Sequence, residues 1–271
     1  MNPADPSTDR DRLTEPVGTL WLRAPDWRTI DTVARKSEPW VLWRMGFQSL
    51  LAHWMDEAVR RNVARVEIIC PDRAAEIEAA LEGGLYWSRE IRFHATKPAE
   101  APPDSEIITM TGLPGLLPAN EPADGTALLQ LWLSQQLAWL EQRSPAVSVE
   151  RQLHPRVWVG PGVRIHPSAR LTGPCWIGAR AEIGADAEIG PQAIIGHQSV
   201  IDQRASVTHS IVMPETFVGS RLHLQRMIAD GYILLDANRG TRVEFTDRFM
   251  LARMRTDWRG FFDKWKRRLS T

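Results

Sequence analysis

The chain has 271 residues, and its 33 Lys and Arg balance 33 Asp and Glu. With 43% hydrophobic residues, this composition fits one large or two modest globular domains and excludes disorder throughout. Zero net charge argues against a surface coated in positive potential, so we expect no nucleic-acid partner. Two cysteines, Cys70 and Cys175, are too few for a disulfide framework or a structural zinc cluster.

The start of the chain predicts no targeting segment. Residues 1–12 are polar and lack the basic and apolar regions of a signal peptide, and no apolar stretch reaches the roughly 18 residues of a membrane-spanning helix. We therefore predict a cytoplasmic protein, with residues 1–14 as a disordered N-terminus.

Strand and helix patterns alternate over the first half of the chain. Short apolar runs predict parallel strands, and apolar residues three and four apart predict helices. The predicted strands are 17–22, 66–70, 90–94 and 106–110, and the predicted helices are 47–61, a segment from Pro71 to Gly83, and an amphipathic helix over 126–142. This order favours a Rossmann-like α/β domain with a mainly parallel sheet over residues 15–145.

The second half of the chain carries a six-residue repeat. Ten aliphatic residues follow one another at a spacing of six, from Leu153 to Val207, and a glycine follows five of them. The residue four places after each aliphatic is small or apolar. The phase then slips by one residue, and Val212, Val218 and Leu224 continue the pattern.

A spacing of six fits neither a helix nor an alternating strand. Short strands joined by tight turns satisfy it, with three repeats making one triangular coil whose aliphatic side chains point inward. We expect a little over four coils over residues 150–235. The glycines are expected to supply backbone freedom at the turns.

The repeat over residues 153–228 resembles the hexapeptide-repeat family, which forms left-handed parallel β-helices in acyltransferases and in many sugar nucleotidyltransferases. The first half, from Gln48 to the strand at Glu90, resembles the nucleotide-sugar pyrophosphorylases in its order of helix, strand, helix and strand. That second resemblance implies a nucleotide, Mg²⁺ and a sugar 1-phosphate as ligands.

The first half departs from that family at the residues that would carry the chemistry. The family's glycine-rich phosphate loop is replaced by residues 23–28, which contain Pro25 and no glycine. The family's metal-binding aspartate has no equivalent after Gly112, where Leu113 follows. We therefore predict a degenerate, non-catalytic domain, in which Arg23, Arg28 and Lys36 mark a vestigial phosphate site.

His197 is the candidate catalytic base if the chain is an acyl-CoA-dependent acyltransferase instead, since such enzymes place an imidazole on the coil surface. The alternative is a solvent-facing histidine at a corner of the coil. A zinc site of converging histidines is not predicted, because Asp202 stands five residues after His197 and the next histidine is His209.

Aromatic residues concentrate at two places in the sequence. Trp21, Trp27, Trp40, Trp43 and Trp54 fit a domain core or a partner-binding face equally well. The tail, residues 246–271, has aromatic and apolar residues three and four apart among eight Lys and Arg, and it predicts a basic amphipathic helix. It would cap the open coil end, dock on a partner, or lie on a membrane through Trp258, Phe262, Trp265, Arg267 and Arg268.

Three functions remain open from the sequence. The first is a scaffold or regulator without catalysis in nucleotide-sugar or surface-polysaccharide synthesis, which forms homo-oligomers through its β-helix and binds an enzyme partner or the inner face of the membrane. It needs no cofactor. The second is an acyltransferase that uses coenzyme A. The third is an active nucleotidyltransferase with an atypical loop, which would use Mg²⁺ and a nucleotide.

Overall fold

The computed structural model describes residues 16–26, 39–45, 48–81, 86–116, 122–142 and 151–254. The predicted disordered N-terminus at residues 1–14 lies outside them. The first half contains six strands and three α-helices within the described residues: β1 (Thr19–Arg23), β2 (Arg44–Met45), β3 (Gln48–Ser49), α1 (Leu50–Arg60), β4 (Arg65–Ile69), α2 (Ala74–Ala80), β5 (Glu90–His94), β6 (Ile108–Thr109) and α3 (Gly125–Gln142). Short 3-10 helices lie at Trp40–Leu42 and Asp104–Glu106.

Four of these strands form one parallel sheet, in the order β5, β4, β1, β6. The parallel sheet was predicted, and each strand and helix predicted for residues 15–145 overlaps an observed one. The hydroxyl of Ser49 caps α1 by accepting a hydrogen bond from the Ala52 N–H at 3.2 Å. None of the described helices is long and apolar enough to cross a membrane.

The two faces of this sheet differ in polarity. Leu22 of β1 and Ile68 of β4 lie on one face and pack in an apolar cluster with residues of all three helices. Trp21, Glu67 and His94 lie on the opposite face, because alternate residues of a strand point to opposite sides. All of residues 66–70 are buried, as predicted, although Glu67 brings a charged side chain to one of the two faces.

The second half is built from seventeen strands, all within the described residues. They are β7 (Arg151–His154), β8 (Val157–Val159), β9 (Arg164–Ile165), β10 (Arg170–Leu171), β11 (Cys175–Ile177), β12 (Glu182–Ile183), β13 (Glu188–Ile189), β14 (Ala193–Ile195), β15 (Val200–Ile201), β16 (Ser206–Thr208), β17 (Ser210–Val212), β18 (Thr216–Val218), β19 (His223–Gln225), β20 (Met227–Asp230), β21 (Ile233–Asp236), β22 (Thr241–Glu244) and β23 (Leu251–Arg253).

Strands β8 to β19 wind into four triangular coils of a parallel β-helix. Every third strand stacks on the same face, so that β8, β11, β14 and β17 form one face, β9, β12, β15 and β18 a second, and β10, β13, β16 and β19 a third. The coils agree with the six-residue repeat, and the aliphatic residues that it singles out fill the interior of the prism. Ile177, Ile195 and Val218 are among those that are fully buried there.

The glycines of the repeat have a second role besides the one predicted. Gly190 (φ 91°) itself has a positive φ, and at other corners the left-handed conformation belongs to the residue two places after the glycine, such as Arg180 (φ 59°), Asp186 (φ 56°) and Gln198 (φ 55°). The glycines are needed because neighbouring coils approach closely. A Cβ atom on Gly178 would lie 2.6 Å from the backbone nitrogen of His197 in the next coil.

The last coil is covered by residues from the first part of the predicted tail helix. The side chain of Leu251 is fully buried in the prism core, and β23 pairs antiparallel with β18. The Met254 N–H donates to the Glu215 carbonyl at 2.7 Å. Residues 251–253 are thus a strand, where the amphipathic pattern had suggested helix. Residues 255–271, including Trp258, Phe262, Trp265, Arg267 and Arg268, lie outside the described residues.

The two halves of the chain share one apolar core. The first face of the β-helix carries an outward row of apolar side chains in register, which continues through four coils and into β20: Trp158, Trp176, Ile194, Ile211 and Ile228. These five belong to the same buried cluster as Trp132 of α3 and the apolar face of the parallel sheet. Helix α3 is therefore buried on more than one side, which the predicted amphipathic pattern did not show.

We predict that Gly178→Ala lowers the free energy of unfolding by about 1–3 kcal/mol, because the new Cβ meets the backbone of the next coil. Arg180→Gly is the matched control at the same corner, and it should be neutral or stabilising because glycine accepts the left-handed conformation without strain. Urea unfolding of both variants measures the difference. Equal stability of Gly178→Ala and the unchanged chain would contradict this account of the corner.

Candidate functional site

Ligands of open parallel sheets bind at the carboxyl ends of the strands. In this chain that edge is formed by Arg23, by Cys70, by His94 and by the segment from Thr111 to Leu113. The sequence analysis predicts the degenerate nucleotide site at this edge. The geometry of the edge therefore decides which ligands the site can hold.

Arg23 is engaged in an ion pair and does not point to an open cradle. Its guanidinium lies 2.6 Å from Oδ1 of Asp104, and Nζ of Lys97 lies 3.1 Å from the same oxygen. Hydrogen bonds from Arg23 and then Lys97 lower the pKa of Asp104, so this carboxylate stays charged and keeps both cations. Of the three predicted phosphate ligands, Arg28 and Lys36 lie outside the described residues.

The backbone after β1 is also occupied. The Ala24 N–H donates to the Ile69 carbonyl at 2.9 Å, and the Arg23 carbonyl accepts from the Met110 N–H at 2.8 Å. Pro25 follows and has no N–H to donate. A phosphate cradle needs several free backbone donors that point at the ligand, and these residues do not provide them.

The carboxyl end of β6 is filled by side chains from two helices. The Trp54 indole donates to the Gly112 carbonyl at 2.9 Å, and Oε1 of Gln135 accepts from the Leu113 N–H at 3.1 Å. A Cβ atom on Gly112 would lie 2.8 Å from that same Oε1 atom. This is the position at which the resembled family would hold its metal ion. Buried side chains take up the space here, and the described residues contain no cluster of metal-ligating groups.

The polar face of the sheet contains a cluster that the sequence analysis missed. Nε2 of His94 lies 2.6 Å from Oε2 of Glu67, whose side chain is 6% exposed. Trp21 stacks on the His94 ring, with the ring centroids 5.9 Å apart. The alternation of charged and apolar residues in 65–68 and 90–93 was the signal that one face would be polar.

The tryptophans of the first half divide between the core and this polar face. Trp40, Trp43 and Trp54 are buried in the core. Trp21 is partly exposed beside His94, and Trp27 lies outside the described residues.

His197 is half-buried and is not the solvent-facing corner residue of the simpler interpretation. It lines a depression between the first half and the β-helix, together with Arg44, Trp132, Trp176 and Met213. The depression leaves a volume of only about 10 Å³, about enough for one water molecule and far below the range of about 300–1,000 Å³ typical of small-molecule sites.

The environment of His197 favours its neutral form. Burial, and then the positive charge of Arg44, lower the pKa of His197 to about 4. Nε1 of the neighbouring Trp176 is buried without a hydrogen-bond partner. A neutral imidazole can accept a proton, but a base with so low a pKa is a weak one near neutral pH.

The thiols of Cys70 and Cys175 are both buried and free. Burial raises the pKa of each thiol to about 12, so neither supplies a thiolate at neutral pH.

No family model matches the chain, and no curated protein matches it. Among solved structures, the chain is similar to the acetyltransferase domain of PglB from Neisseria gonorrhoeae in complex with acetyl coenzyme A. The identity is 16%, the match covers 59% of this chain and 78% of that one, and the TM-score is 0.17. A likeness of this size carries no argument about chemistry, and the β-helix rests on the strand pairing described above.

The burial of His197 predicts a pH-dependent stability. An unfolded histidine titrates near pH 6.5 and folded His197 near 4, so the unfolded chain binds more protons between these values. Stability should therefore fall as the pH is lowered from about 6.5 to about 4, by about 1–2 kcal/mol from this partly exposed group.

Urea unfolding across this pH range tests the prediction. His197→Gln should remove that part of the pH dependence, whereas His166→Gln, at an exposed corner, should leave it in place. An NMR titration that gives His197 of the folded chain a pKa near 6.5 would contradict the burial of its imidazole.

Proposed function

We propose that the chain is a non-catalytic relative of the sugar nucleotidyltransferases, a scaffold or regulator in nucleotide-sugar or surface-polysaccharide synthesis. The observation that supports this most directly is the filled carboxyl edge of the parallel sheet. Trp54 and Gln135 hydrogen bond to the backbone at Gly112 and Leu113, where an active relative would need an open, metal-binding carboxylate.

The charges at the edge support the same proposal. A triphosphate requires cations and backbone donors that are free to turn toward it. Arg23 and Lys97 are held by Asp104, and the Ala24 N–H is used within the sheet. A nucleotide could bind here only after these ion pairs and this hydrogen bond break, and the free energy of breaking them would weaken its binding.

The β-helix supports a role in assembly. Its first face is taken by the N-terminal half of the same chain. The other two faces carry exposed ion pairs between neighbouring coils, Arg164 with Glu182 and Arg170 with Glu188. We propose that these faces, and the coil edges between them, are where homo-oligomers form or a synthesis enzyme docks.

We predict that the purified chain does not convert a nucleoside triphosphate and a sugar 1-phosphate to pyrophosphate in the presence of Mg²⁺. We also predict no rise in melting temperature with millimolar nucleotide and Mg²⁺, because a ligand that does not bind the folded state does not stabilise it. A coupled pyrophosphate assay and thermal unfolding measure both. Turnover of about 1 s⁻¹ or more would overturn the proposal, and nucleotide-dependent stabilisation would favour the active enzyme with an atypical loop.

The alternative is an acyl-CoA-dependent acyltransferase in which neutral His197 is the base and coenzyme A lies between neighbouring coils of a trimer. The half-buried imidazole beside Arg44 and Trp176 is the observation in its favour. The docked N-terminal half, which narrows the space around His197, weighs against it. Calorimetry with acetyl coenzyme A separates the two proposals, since binding heat that is lost in His197→Ala but kept in His166→Ala would favour the transferase.

The basic tail is proposed to bind an anionic membrane surface or an enzyme partner. Because Leu251 is part of the prism core, a truncation to test this should begin after Met254 and leave β23 in place. We expect the intact chain to co-sediment with anionic liposomes at low salt, and a full-length variant with Trp258, Phe262 and Trp265 changed to serine to stay in the supernatant. Equal recovery of both in the supernatant would remove the membrane role.

A further inference from the structure

Strand β5 is the outer strand of the parallel sheet on one side. Its even-numbered residues bond to β4, as the Glu90 N–H to the Ala64 carbonyl and the Cys70 N–H to the His94 carbonyl show. The backbone N–H and C=O groups of Ile91 and Phe93 therefore point away from the sheet. Within the described ranges, no strand pairs with β5 on that outer side.

An open strand edge is a template for pairing with another chain, and proteins usually protect such edges. Charged side chains are one common protection. Here the charges are Glu90 and Arg92, which lie on either side of Ile91 and point to the same face of the sheet. Their side chains are 47% and 53% exposed, and Glu90 forms ion pairs with Arg92 at 2.6 Å and with Arg65 of β4 at 2.8 Å.

The order of these charges is self-complementary. If two copies of β5 run antiparallel about a two-fold axis at Ile91, Glu90 of each copy lies directly opposite Arg92 of the other. Opposite charges across a strand pair stabilise it, and like charges destabilise it. The two-fold axis repeats the favourable pair on both sides, as in a symmetric dimer interface.

The backbone geometry fits the same arrangement. Ile91 has both its N–H and its C=O free on the outer side, so the two copies of Ile91 can exchange two hydrogen bonds at the axis. Phe93 faces outward in the same way and would pair with Arg89 of the second copy. The charged residues that would block an unrelated strand are thus placed to accept an identical one.

We propose that β5 is a dimer interface, in which two copies of this chain pair antiparallel about Ile91 and join their four-stranded sheets into one continuous sheet. Glu90 and Arg92 determine the partner and the register. This inference goes beyond the scaffold function, because it does not depend on the resemblance to nucleotidyltransferases or on the β-helix faces.

Charge reversal tests the interface on the full-length chain by analytical ultracentrifugation over a range of concentrations. We expect the unchanged chain to dimerise and Glu90→Arg or Arg92→Glu to weaken the dimer roughly tenfold, because each places two like-charge pairs across the axis. The double variant restores opposite charges and should recover the dimer. Arg60→Glu, which breaks an exposed ion pair with Glu57 on α1 and lies on neither β5 nor the β-helix, is the matched control and should have no effect.

An unchanged chain that stays monomeric up to about 100 µM would overturn the proposal. Single charge reversals that leave the association unchanged would overturn the proposal as well. This holds even if the chain also assembles through the coils of its β-helix. If both associations occur, each single reversal should move the association through β5 to a roughly tenfold higher concentration and leave the assembly through the coils unchanged.

A cross-link provides a second measurement that does not rely on charge. Opposed residues of a hydrogen-bonded antiparallel pair have Cα atoms about 5.5 Å apart, a distance that a disulfide spans. Under mild oxidation, Ile91→Cys should form covalent dimers rapidly, since the native Cys70 and Cys175 are buried. Tyr86→Cys, at an 85% exposed position outside β5, controls for random collision. Equal cross-linking of the two variants would contradict the register.

Discussion

The outward apolar row on the first face of the β-helix is the contact on which the rest of the structure depends. Trp158, Trp176 and Ile194 are stacked in register by the coil, and they require an apolar partner to leave water. Helix α3 and the parallel sheet supply it, so that residues of both halves form one buried cluster. The same contact buries His197 at its margin and brings Arg44 near it, which lowers the pKa of the imidazole. The environment of the candidate base is thus a consequence of how the two halves pack.

The packing of α3 also affects the other candidate site. Because this helix is held between the coil and the sheet, Gln135 reaches the carboxyl end of β6, where it accepts a hydrogen bond from the backbone of Leu113. Trp54 of α1 completes the filling from the other helix. Side chains that stabilise the core therefore occupy the edge at which an open α/β sheet would bind a ligand. A stable core and an open nucleotide site compete for the same space, which is the physical basis of the proposed non-catalytic role.

The prediction of individual elements succeeded where a local pattern determines the structure. The spacing of six predicted the coils, and Ile177, Ile195 and Val218 lie in the prism core as expected. The predicted role of the glycines holds at Gly190, which has a φ of 91°, but it missed the closer constraint, because Gly178 is required by its distance to the backbone of the next coil. The prediction of a buried strand at residues 66–70 is confirmed, but it did not identify the partner of the buried Glu67. Its pairing with His94 depends on a strand 27 residues later in the chain.

The sequence by itself determined the β-helix, the order of the strands and helices in the first half, and the absence of a glycine-rich loop after β1. These features depend on periodicity and on residue type, which are local. Only the tertiary structure decided that the two halves share a core, that Arg23 is paired with Asp104, that His197 is half-buried, and that β5 lies at an open edge. Each of these is a contact, or a missing neighbour, between segments far apart in the chain. Such contacts follow from how the elements pack, and no spacing within a single segment encodes them.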